Sequence, residues 1–411
     1  MLPEDVEAAA ARLTGVAVQS PLQRNDRLSA LTGADIWLKR EDLQPVRSYK
    51  LRGAYNFLAQ LTPEQRAAGV VCASAGNHAQ GVALGCHLLG IKGSTFLPRT
   101  TPRQKRDRIA ALGQGQIDIR AVGDSYDEAN AEAAAFAESI GAPLVPAFDA
   151  VDTIAGQGTV TRELIGQLGR VPDVLVVPVG GGGLLAGTIA WLAGESAAPR
   201  LVGVEPAGAA SMAAAVAAGR PVPLDSLDTF VDGAAVWQVG ELTYDLVRGS
   251  DVELVTVPEG AICSEMIELY QSDGIIAEPA GALAITALAG LSDLAGATVV
   301  AVVSGGNNDL SRYPEIIERA LVHQGLKHYF LVEFPQEPGA LRSFLDHALG
   351  PDDDITLFEY TKRNNRETGP ALVGIELAHR EDLDGLLHRL ADLPLNVERV
   401  QPDHALFRFL I

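Results

Sequence analysis

The sequence predicts an α/β protein with a mostly parallel sheet, followed by a separate small domain. Short β-branched runs alternate with longer Ala- and Leu-rich helical patterns over most of the chain, which is typical of parallel sheets. Near residue 325 the pattern changes to the strand and helix order of a ferredoxin-like βαββαβ unit. A length of 411 residues also exceeds what one hydrophobic core usually organises. We therefore expect two domains, residues 1–324 and residues 325–411.

In the first domain, apolar runs predict strands at residues 35–39, 69–73, 93–97, 173–179, 201–204 and 298–303. Ligands bind α/β sheets at the loops that follow the carboxyl ends of the strands, so these loops are expected to hold the functional site. In the second domain we expect strands at 328–334, 355–360, 371–377 and 405–410, with helices at 339–348 and 381–390. Gly325 is placed to end the preceding helix as its C-cap.

The composition excludes several classes of function. The net charge of −20 would repel a nucleic-acid backbone or an anionic membrane surface, and no dense Lys/Arg run offsets it. The cysteines, Cys72, Cys86 and Cys263, form no CxxC pair, so neither a disulfide framework nor a structural zinc site is expected. The first residues are acidic, and no apolar run reaches the ~20 residues of a membrane span. We expect a cytoplasmic protein without nucleic-acid or membrane partners.

The first chemically informative stretch is KREDLQPVRSYKLRGAYN, residues 39–56. A strand ends near Lys39, and a helix is predicted to begin at about Ser48, which is a good N-cap residue. Lys50 would then lie in the first helical turn, where the positive end of the helix dipole disfavours its ammonium form. Such a lysine is easier to hold as a neutral amine or a Schiff base. The alternative is a solvated surface lysine, which is what most lysines are.

The second stretch, SAGNHAQG at residues 74–81, follows the apolar strand VVCA. A Ser/Gly/Asn turn between a strand and a helix directs backbone N–H groups toward the helix N-terminus, which suits a carboxylate ligand. An ordinary strand-to-helix turn would account for the glycines but not for the whole octapeptide.

The third stretch, VPVGGGGL at residues 177–184, follows the strand VLVV and opens a helix, so successive backbone amides can bind a phosphate. A dinucleotide fingerprint is the competing interpretation. Gly181, Gly183 and Ala186 fit its pattern G-x-G-x-x-A, and Glu205 ends the next strand roughly twenty residues further on. The order of the motifs decides between the two, because nicotinamide chemistry has no role for the lysine and SAGNH segments upstream.

The fourth stretch, VVSGGN at residues 302–307, again ends an apolar strand. A serine hydroxyl at this place can hydrogen-bond a pyridine nitrogen without protonating it, whereas a carboxylate partner would enforce a pyridinium. Taken alone, the Ser304-Gly305-Gly306 segment would be only a turn. Ser304 is a candidate binding residue because of its position at the end of an apolar strand.

Together, and in this order, the four segments closely resemble those of the fold-type II pyridoxal-phosphate enzymes, in which the first segment has the pattern S-[FY]-K-x-R-G. The resemblance covers the chain from Lys39 to about Asn307. It implies a tryptophan synthase β-like catalytic domain with two α/β subdomains, and pyridoxal 5′-phosphate (PLP) as cofactor. It also implies the role of each site residue: Lys50 forms the Schiff base, Tyr49 flanks the cofactor, Asn77 binds its phenolic oxygen, Gly180, Gly181, Gly182, Gly183 and Leu184 bind its phosphate, Ser304 meets its ring nitrogen, and Ser74, Ala75, Gly76, Asn77 and His78 bind the substrate carboxylate.

Within that group the chain resembles the biosynthetic threonine dehydratases (threonine ammonia-lyases), because the segments at 230–244 and 277–282 are similar to theirs. This resemblance implies deamination of L-threonine to 2-oxobutanoate and ammonia, the first step of isoleucine biosynthesis, with secondary activity on L-serine. Lys50 would remove the Cα proton, and the cofactor phosphate would supply a proton to the departing hydroxyl. Glu278 would lie near the cofactor.

The closest alternative is a serine dehydratase or racemase of the same fold. The family's racemases carry a serine, as a second proton carrier, where this chain has Ala75, so racemisation should be minor. Racemases and some dehydratases also bind a divalent cation through a Glu and an Asp. This chain keeps Glu205 but has Ser211 where the Asp would stand, so no metal is predicted.

An alternative of a different class is a vestigial amino-acid sensor, against which the intact Lys50 argues.

Residues 327–411 resemble the single ACT-like regulatory domain of the shorter biosynthetic threonine dehydratases. Units of this kind offer a sheet face and an edge for pairing, so two copies commonly join and form effector pockets where they meet. The resemblance implies a homotetramer that isoleucine inhibits, with valine opposing the inhibition. The alternative is a passive dimerisation module.

Overall fold

Strands and helices alternate along most of the computed structural model, which describes residues 1–362, 365–401 and 404–410. The strands are β1 (Leu22–Arg24), β2 (Asp35–Arg40), β3 (Val70–Ala73), β4 (Gly93–Leu97), β5 (Ile117–Ala121), β6 (Val174–Pro178), β7 (Arg200–Pro206), β8 (Val252–Val257), β9 (Thr298–Val303), β10 (Lys327–Pro335), β11 (Asp354–Tyr360), β12 (Thr368–Glu376) and β13 (Asn396–Val400). The helices are α1 (Pro3–Arg12), α2 (Asp26–Thr32), α3 (Lys50–Ala59), α4 (Pro63–Ala68), α5 (Asn77–Leu89), α6 (Arg103–Gly113), α7 (Tyr126–Ile140), α8 (Val151–Leu168), α9 (Gly183–Leu192), α10 (Ser211–Ala218), α11 (Glu241–Arg248), α12 (Glu259–Gln271), α13 (Pro279–Ala287), α14 (Tyr313–Gln324), α15 (Ala340–Ala348) and α16 (Leu383–Ala391). Across the described ranges, none of these helices combines the length and apolar character needed to cross a bilayer.

The chain folds into two units, Met1–Asn308 and Asp309–Ile411. The main sheet of the first unit has the strand order β1-β2-β9-β6-β7-β8. Strand β1 runs antiparallel to β2, and the other neighbouring pairs are parallel. The central strands β6 and β9 are apolar and almost wholly buried, as expected where helices cover both faces of a sheet. The predicted α/β class is confirmed.

A second, parallel sheet of three strands, β3-β4-β5, lies in the same unit. Helix α5 packs on it through a separate apolar core that includes Val70, Cys72, Val82 and Cys86. The first unit therefore contains two α/β subdomains, each with its own sheet, as the fold-type II resemblance implies.

The chemically informative segments follow strands whose carboxyl ends meet. The lysine segment follows β2, the glycine segment follows β6 and Ser304 follows β9, and these three strands are neighbours in the parallel order β2-β9-β6. The SAGNH segment follows β3 in the smaller sheet. Because neighbouring parallel strands have their carboxyl ends on the same side of a sheet, the strand order brings the lysine segment, the glycine segment and Ser304 to the carboxyl-terminal side of the main sheet.

The second unit contains an antiparallel sheet of four strands in the order β11-β12-β10-β13. Helices α15 and α16 pack on one face of this sheet, around a core that includes Phe330, Val332, Phe344, Val373 and Leu386. This is the ferredoxin-like βαββαβ arrangement that the sequence predicts.

The predicted position of the last strand was wrong. The strand is β13, which pairs with β10, and Ala405–Phe409 is a 3-10 helix. The segment at 405–410 is the more apolar of the two, but the Phe407 ring packs edge-on against Tyr329, with ring centres 6.3 Å apart. Phe407 thus serves packing although Phe409 of the same segment is 85% exposed, whereas β13 lies at the sheet edge, where alternating charged residues such as Glu398 are tolerated.

Gly325 ends α14 as predicted, with a left-handed φ of 72° and its N–H directed at carbonyl groups of the last helical turn. Helix α14 belongs to the second unit, which begins at Asp309. The expected domain boundary between residues 324 and 325 remains a prediction.

Candidate active site

Lys50 is the first residue of α3, so it lies in the first helical turn, as the sequence predicts. The expected N-cap at Ser48 was wrong, because the N-cap residue is Tyr49. The backbone of Ser48 instead pairs with that of Gly305, in the loop that follows β9. This pairing fixes Ser48 outside the helix and holds the lysine loop beside the serine loop.

The Lys50 amine lies in a partly enclosed site. Its Nζ donates to the Ala147 carbonyl oxygen at 3.0 Å and lies 5.4 Å from the centre of the Tyr49 ring. Burial lowers the pKa of this amine to about 8, although the nearby Glu278 carboxyl opposes the shift. A useful fraction of the amine is therefore neutral near physiological pH, and a neutral amine is what a nucleophile or a general base requires.

A buried ion cluster anchors α3 two residues beyond Lys50. Arg52 donates to both carboxylate oxygens of Glu41, at 2.7 and 2.8 Å, and to Glu163 at 3.0 Å. Lys39 forms a second ion pair with Glu163. The side chains of Lys39 and Glu41 are fully buried and that of Arg52 is nearly so. Opposite charges therefore satisfy one another inside the protein and tie the Lys50 helix to β2 and α8.

The SAGNH segment forms a tight turn between β3 and α5. Gly76 is the N-cap of α5, and its N–H donates to the Ser74 hydroxyl at 3.2 Å. A side chain at Gly76 would meet no atom within 4 Å, so the turn faces open space. The N–H groups of the first turn of α5 can therefore bind a carboxylate there.

The His78 side chain is engaged within the protein. Its Nε2 lies 2.9 Å from the Val145 carbonyl oxygen, and burial together with the Lys50 charge lowers its pKa to about 4. His78 is a weak base, so any contact with a substrate carboxylate falls to its backbone N–H. Asn77 differs, because its amide contacts two polar side chains that the sequence did not single out as partners, Glu278 and Asn307.

The glycine loop, residues 180–183, leads from β6 into α9. Gly182 is the N-cap of α9 with a left-handed φ of 89°, and Gly183 is the first helical residue. A Cβ atom at Gly180 would lie 2.9 Å from the backbone of Ala234, and one at Gly181 would overlap the Phe148 ring. Only glycines fit this close approach, and the result is a cradle of backbone N–H groups suited to phosphate. The Leu184 side chain is buried in the core, which leaves only its backbone for binding.

Ser304 lies directly after β9 and is buried. Its hydroxyl donates to the Ala280 carbonyl oxygen at 3.1 Å. A hydroxyl keeps two lone pairs and can rotate its proton, so it can meet a neutral aromatic nitrogen as the sequence predicts.

The segment at residues 147–149 contacts both ends of the site, yet it carries no recognisable motif. The Ala147 carbonyl accepts from Lys50, and the Phe148 ring packs against the glycine loop. The Asp149 carboxylate accepts from the N–H groups of the first turn of α11 at 3.0 to 3.2 Å. From that turn, the Thr243 hydroxyl donates to the Gly181 carbonyl at 2.8 Å, which helps to fix the glycine loop.

Glu205 does not serve the competing dinucleotide interpretation. It is fully buried, and its two oxygens accept from the backbone N–H groups of Met212 and Ala213 at 2.7 and 2.9 Å. Ser211, which stands at the expected metal-binding aspartate position, donates to the Val236 carbonyl. The described part of the chain contains no group of three or more His, Cys, Asp or Glu residues that could hold a metal ion. The absence of a required metal remains a prediction.

The buried Glu205 carboxyl should make the folded state less stable as pH rises. Burial raises its pKa from an ordinary 4.5 to about 7, so between these values the folded protein binds more protons than the unfolded chain. Its contribution to stability is complete below about pH 4.5 and is lost as pH rises through about 7. Because each pKa unit is worth about 1.4 kcal/mol, the loss is at most about 3 kcal/mol. In urea unfolding at pH 5 and pH 8, Glu205→Gln should lose less stability between the two pH values than the native protein; equal losses would contradict the prediction.

Comparisons with known proteins agree with this site. Residues 13–305 match the model of the pyridoxal-phosphate dependent enzymes, and residues 318–410 match that of the C-terminal regulatory domain of threonine dehydratase. The chain is 58% identical to a biosynthetic L-threonine dehydratase of Mycobacterium bovis, over 99% of this chain and 95% of that protein. It is 50% identical to that of Bacillus subtilis, over 96% and 94%.

Solved structures of two enzymes are similar to this chain over 78% of its length. Threonine deaminase isoform 2 of Solanum lycopersicum is 37% identical with a TM-score of 0.74, over 78% of this chain and 88% of that one. Maize serine racemase is 30% identical with a TM-score of 0.71, over 78% and 98%.

Proposed function

The chain belongs to the threonine dehydratase family of pyridoxal-phosphate-dependent enzymes, and from this premise we propose how its residues deaminate L-threonine to 2-oxobutanoate and ammonia. The observation that carries the proposal is the position of the Lys50 amine. It lies in the first turn of a helix, on the same side of the main sheet as the glycine loop and Ser304, and its pKa is lowered. An intact lysine in this setting favours an enzyme over a vestigial sensor.

The residues present fit PLP. The glycine loop offers backbone N–H groups without side chains, Lys50 offers a partly neutral amine, and Ser304 offers a buried hydroxyl. When bound, PLP supplies a conjugated ring that withdraws electrons from the substrate Cα. We assign the phosphate to Gly180, Gly181, Gly182, Gly183 and Leu184, the ring nitrogen to Ser304, the phenolic oxygen to Asn77, the covalent attachment to Lys50 and a flanking position to Tyr49.

Substrate binding and proton removal fall to two further parts of the site. We assign the substrate carboxylate to the turn formed by Ser74, Ala75, Gly76, Asn77 and His78, through its backbone N–H groups. Lys50 takes up the Cα proton as general base, because burial keeps part of its amine neutral. His78 is too weak a base to compete, since its pKa lies near 4.

A serine racemase is the second candidate, favoured by the similarity to the maize enzyme. Racemisation needs a proton carrier on the face of the substrate opposite Lys50. At the position where the family's racemases carry a serine, this chain has Ala75, whose methyl group has no proton to give. We therefore propose elimination as the main reaction and racemisation as a minor one.

Threonine should be a better substrate than serine. An apolar contact with the extra methyl group of threonine is worth ~1–3 kcal/mol, so kcat/KM for threonine should exceed that for serine by roughly 10- to 200-fold. The measurement is the initial rate of 2-oxobutanoate and pyruvate formation by the purified enzyme, with D-serine followed in parallel. A higher kcat/KM for serine, or D-serine as the main product, would contradict the assignment.

The chain carries a C-terminal regulatory domain of the threonine dehydratase type, which supports binding of an effector. We propose that isoleucine inhibits the enzyme and that valine opposes the inhibition, because a biosynthetic enzyme is commonly controlled by its end product. We propose a homotetramer, with pairs of regulatory domains forming the effector pockets. A cytoplasmic location is proposed because the relatives from Mycobacterium bovis and Bacillus subtilis are named as biosynthetic enzymes.

Deletion of residues 326–411 should leave an active enzyme that no longer responds to isoleucine. The residues assigned to catalysis all lie within Met1–Asn308, outside the deleted residues. The measurement is the threonine rate against isoleucine concentration for both proteins. If neither the full chain nor the truncation responds to isoleucine, the C-terminal domain has a structural role only.

A further inference from the structure

Asn77 is held by a chain of hydrogen bonds that starts at a backbone carbonyl. The Asn307 Nδ2 group donates to the Val46 carbonyl oxygen at 2.7 Å and to Asn77 Oδ1 at 2.6 Å. Asn77 Nδ2 in turn donates to Glu278 Oε1 at 2.5 Å. We call Val46, Asn307, Asn77 and Glu278 the amide relay. It connects the lysine loop, the serine loop, the start of α5 and the residue that precedes α13.

The direction of the relay follows from donor and acceptor chemistry. A backbone carbonyl can only accept, so the Asn307 atom that faces Val46 must be Nδ2. Both N–H groups of that nitrogen are then engaged, one with Val46 and one with Asn77. The Asn77 atom that faces Asn307 must therefore be the acceptor Oδ1, which turns the amide nitrogen of Asn77 toward Glu278. The Val46 carbonyl thus fixes an amide orientation two hydrogen bonds away.

Glu278 is packed in place at the end of the relay. Its side chain is only 5% exposed, and burial raises its pKa to about 7. Its backbone N–H donates to the Gly305 carbonyl at 3.1 Å, and a side chain at Gly305 would overlap Glu278 Oε1. A buried carboxyl group costs free energy unless hydrogen bonds compensate for its lost water. The contact with Asn77 is therefore a specific one and not a solvent-exposed pairing.

We propose that Asn307 and Glu278 are positioning residues that hold the Asn77 amide so that its second N–H is directed to the phenolic oxygen of PLP. The inference rests on the proposed function, which assigns that oxygen to Asn77. Within the described part of the chain, Asn77 Oδ1 and one of its N–H groups are engaged in the relay. A reversed amide would turn a lone pair, and not an N–H, toward an oxygen atom that is itself an acceptor.

Asn307→Asp reverses the relay with almost no change of shape. An ionised aspartate offers only acceptors, so its hydrogen bond to the Val46 carbonyl is lost and Asn77 must turn its nitrogen toward residue 307 to keep a hydrogen bond. Asn307→Ala removes the donor without demanding this reversal. The apoenzymes are titrated with PLP, and the dissociation constant and visible absorption maximum are recorded. Asn307→Asp should weaken binding by about tenfold and shift the maximum, and Asn307→Ala should weaken it by only about threefold.

Asn130→Asp is the matched control, because Asn130 is exposed on α7 and gains the same charge. It should bind PLP as the native protein does. If Asn307→Asp binds PLP at least as tightly as Asn307→Ala, or gives the native absorption maximum, the relay does not orient Asn77 and the proposal is overturned.

The Glu278 end of the relay is tested by a pair of variants. Glu278→Gln keeps an acceptor oxygen for Asn77, whereas Glu278→Ala removes it. We expect native-like PLP affinity, within about threefold, for Gln, and about tenfold weaker binding for Ala. For Ala, kcat should fall while the KM for threonine stays within about twofold, because the relay acts on the cofactor. Glu132→Gln, an exposed change on α7, controls for loss of charge. Equal PLP affinity for the Ala and Gln variants would overturn the role of Glu278; if the Ala variant fails to fold, the Asn307 pair decides.

The outcomes also separate this inference from the proposed function. If the native enzyme deaminates threonine but the Asn307 variants bind PLP identically, the relay is wrong and the proposed function stands. If the native enzyme binds PLP with the expected order among variants but does not deaminate threonine, the relay stands and the proposed function fails.

Discussion

Replacement of Lys50 by alanine is expected to lower the turnover of threonine by at least about 1,000-fold while leaving the fold intact. The change removes the group that we propose as both the covalent attachment and the general base, and a positioned base alone contributes about 100- to 10,000-fold. The fold should persist because, among the described residues, the Lys50 side chain donates only to the Ala147 carbonyl, and the ion cluster that anchors α3 begins at Arg52. The measurements are kcat for 2-oxobutanoate formation and the far-ultraviolet circular dichroism spectrum.

The visible spectrum supports the same test. The native protein should be yellow with bound PLP, and its absorption band should disappear on borohydride reduction, whereas Lys50→Ala should give no reducible attachment. Lys92→Ala is the matched control, since Lys92 is exposed and its amine bonds only to the Gly115 carbonyl among the described residues. Substantial activity of Lys50→Ala without an added amine would refute the assignment of Lys50.

Arg52→Ala should produce the largest loss of stability among the site variants, about 3–5 kcal/mol, because it leaves the Glu41 carboxylate buried without its partner. Arg52 is 2% exposed and Glu41 is fully buried, and of the described side-chain donors to Glu41 the variant keeps the Ser20 hydroxyl, at 2.6 Å, but loses both guanidinium contacts. Arg52→Lys should lose less, since it keeps the positive charge but not the two-pronged contact. The free energy of unfolding is measured in urea at constant pH. Weaker binding of PLP should accompany the loss, because α3 carries Lys50.

A surface pair in the same chain provides the comparison. Arg162 donates to both oxygens of Glu7, as Arg52 does to those of Glu41, but its side chain is 39% exposed. Exposed ion pairs contribute about 0–1 kcal/mol, so Arg162→Ala should change stability little. If Arg52→Ala costs no more than Arg162→Ala, the buried cluster does not stabilise the Lys50 helix as we describe.

The sequence predicts those parts of the site that lie within one continuous segment. The glycine loop and Ser304 each come directly after an apolar strand, and Lys50 opens the helix that follows β2 after a loop, so each motif can be recognised together with a neighbouring strand or helix start. The β-branched runs likewise predict the parallel sheets, because strands buried on both faces have few other compositions available.

Contacts between distant segments were not predictable in this way. Asn77 and Glu278 are separated by 201 positions, and the ring of Phe148 meets the glycine loop through a segment without a motif. The residue type at position 307 is the same whether its amide faces water or Asn77. Only the folded structure shows which of the two the amide contacts. The misplaced final strand has a related cause, because Phe407 packs against the distant Tyr329, a contact that local sequence does not reveal.

The segment at residues 147–149 links the two ends of the site, the Lys50 amine and the glycine loop. Its three consecutive residues contact the Lys50 amine, the glycine loop and the start of α11 in turn, so only a few covalent bonds separate these contacts along the chain. The separation between the Lys50 amine and the glycine loop is therefore bridged by two adjacent residues, Ala147 and Phe148. A redesign that enlarges the site therefore has to preserve or rebuild the contacts of residues 147–149, which a search confined to the recognisable motifs would overlook.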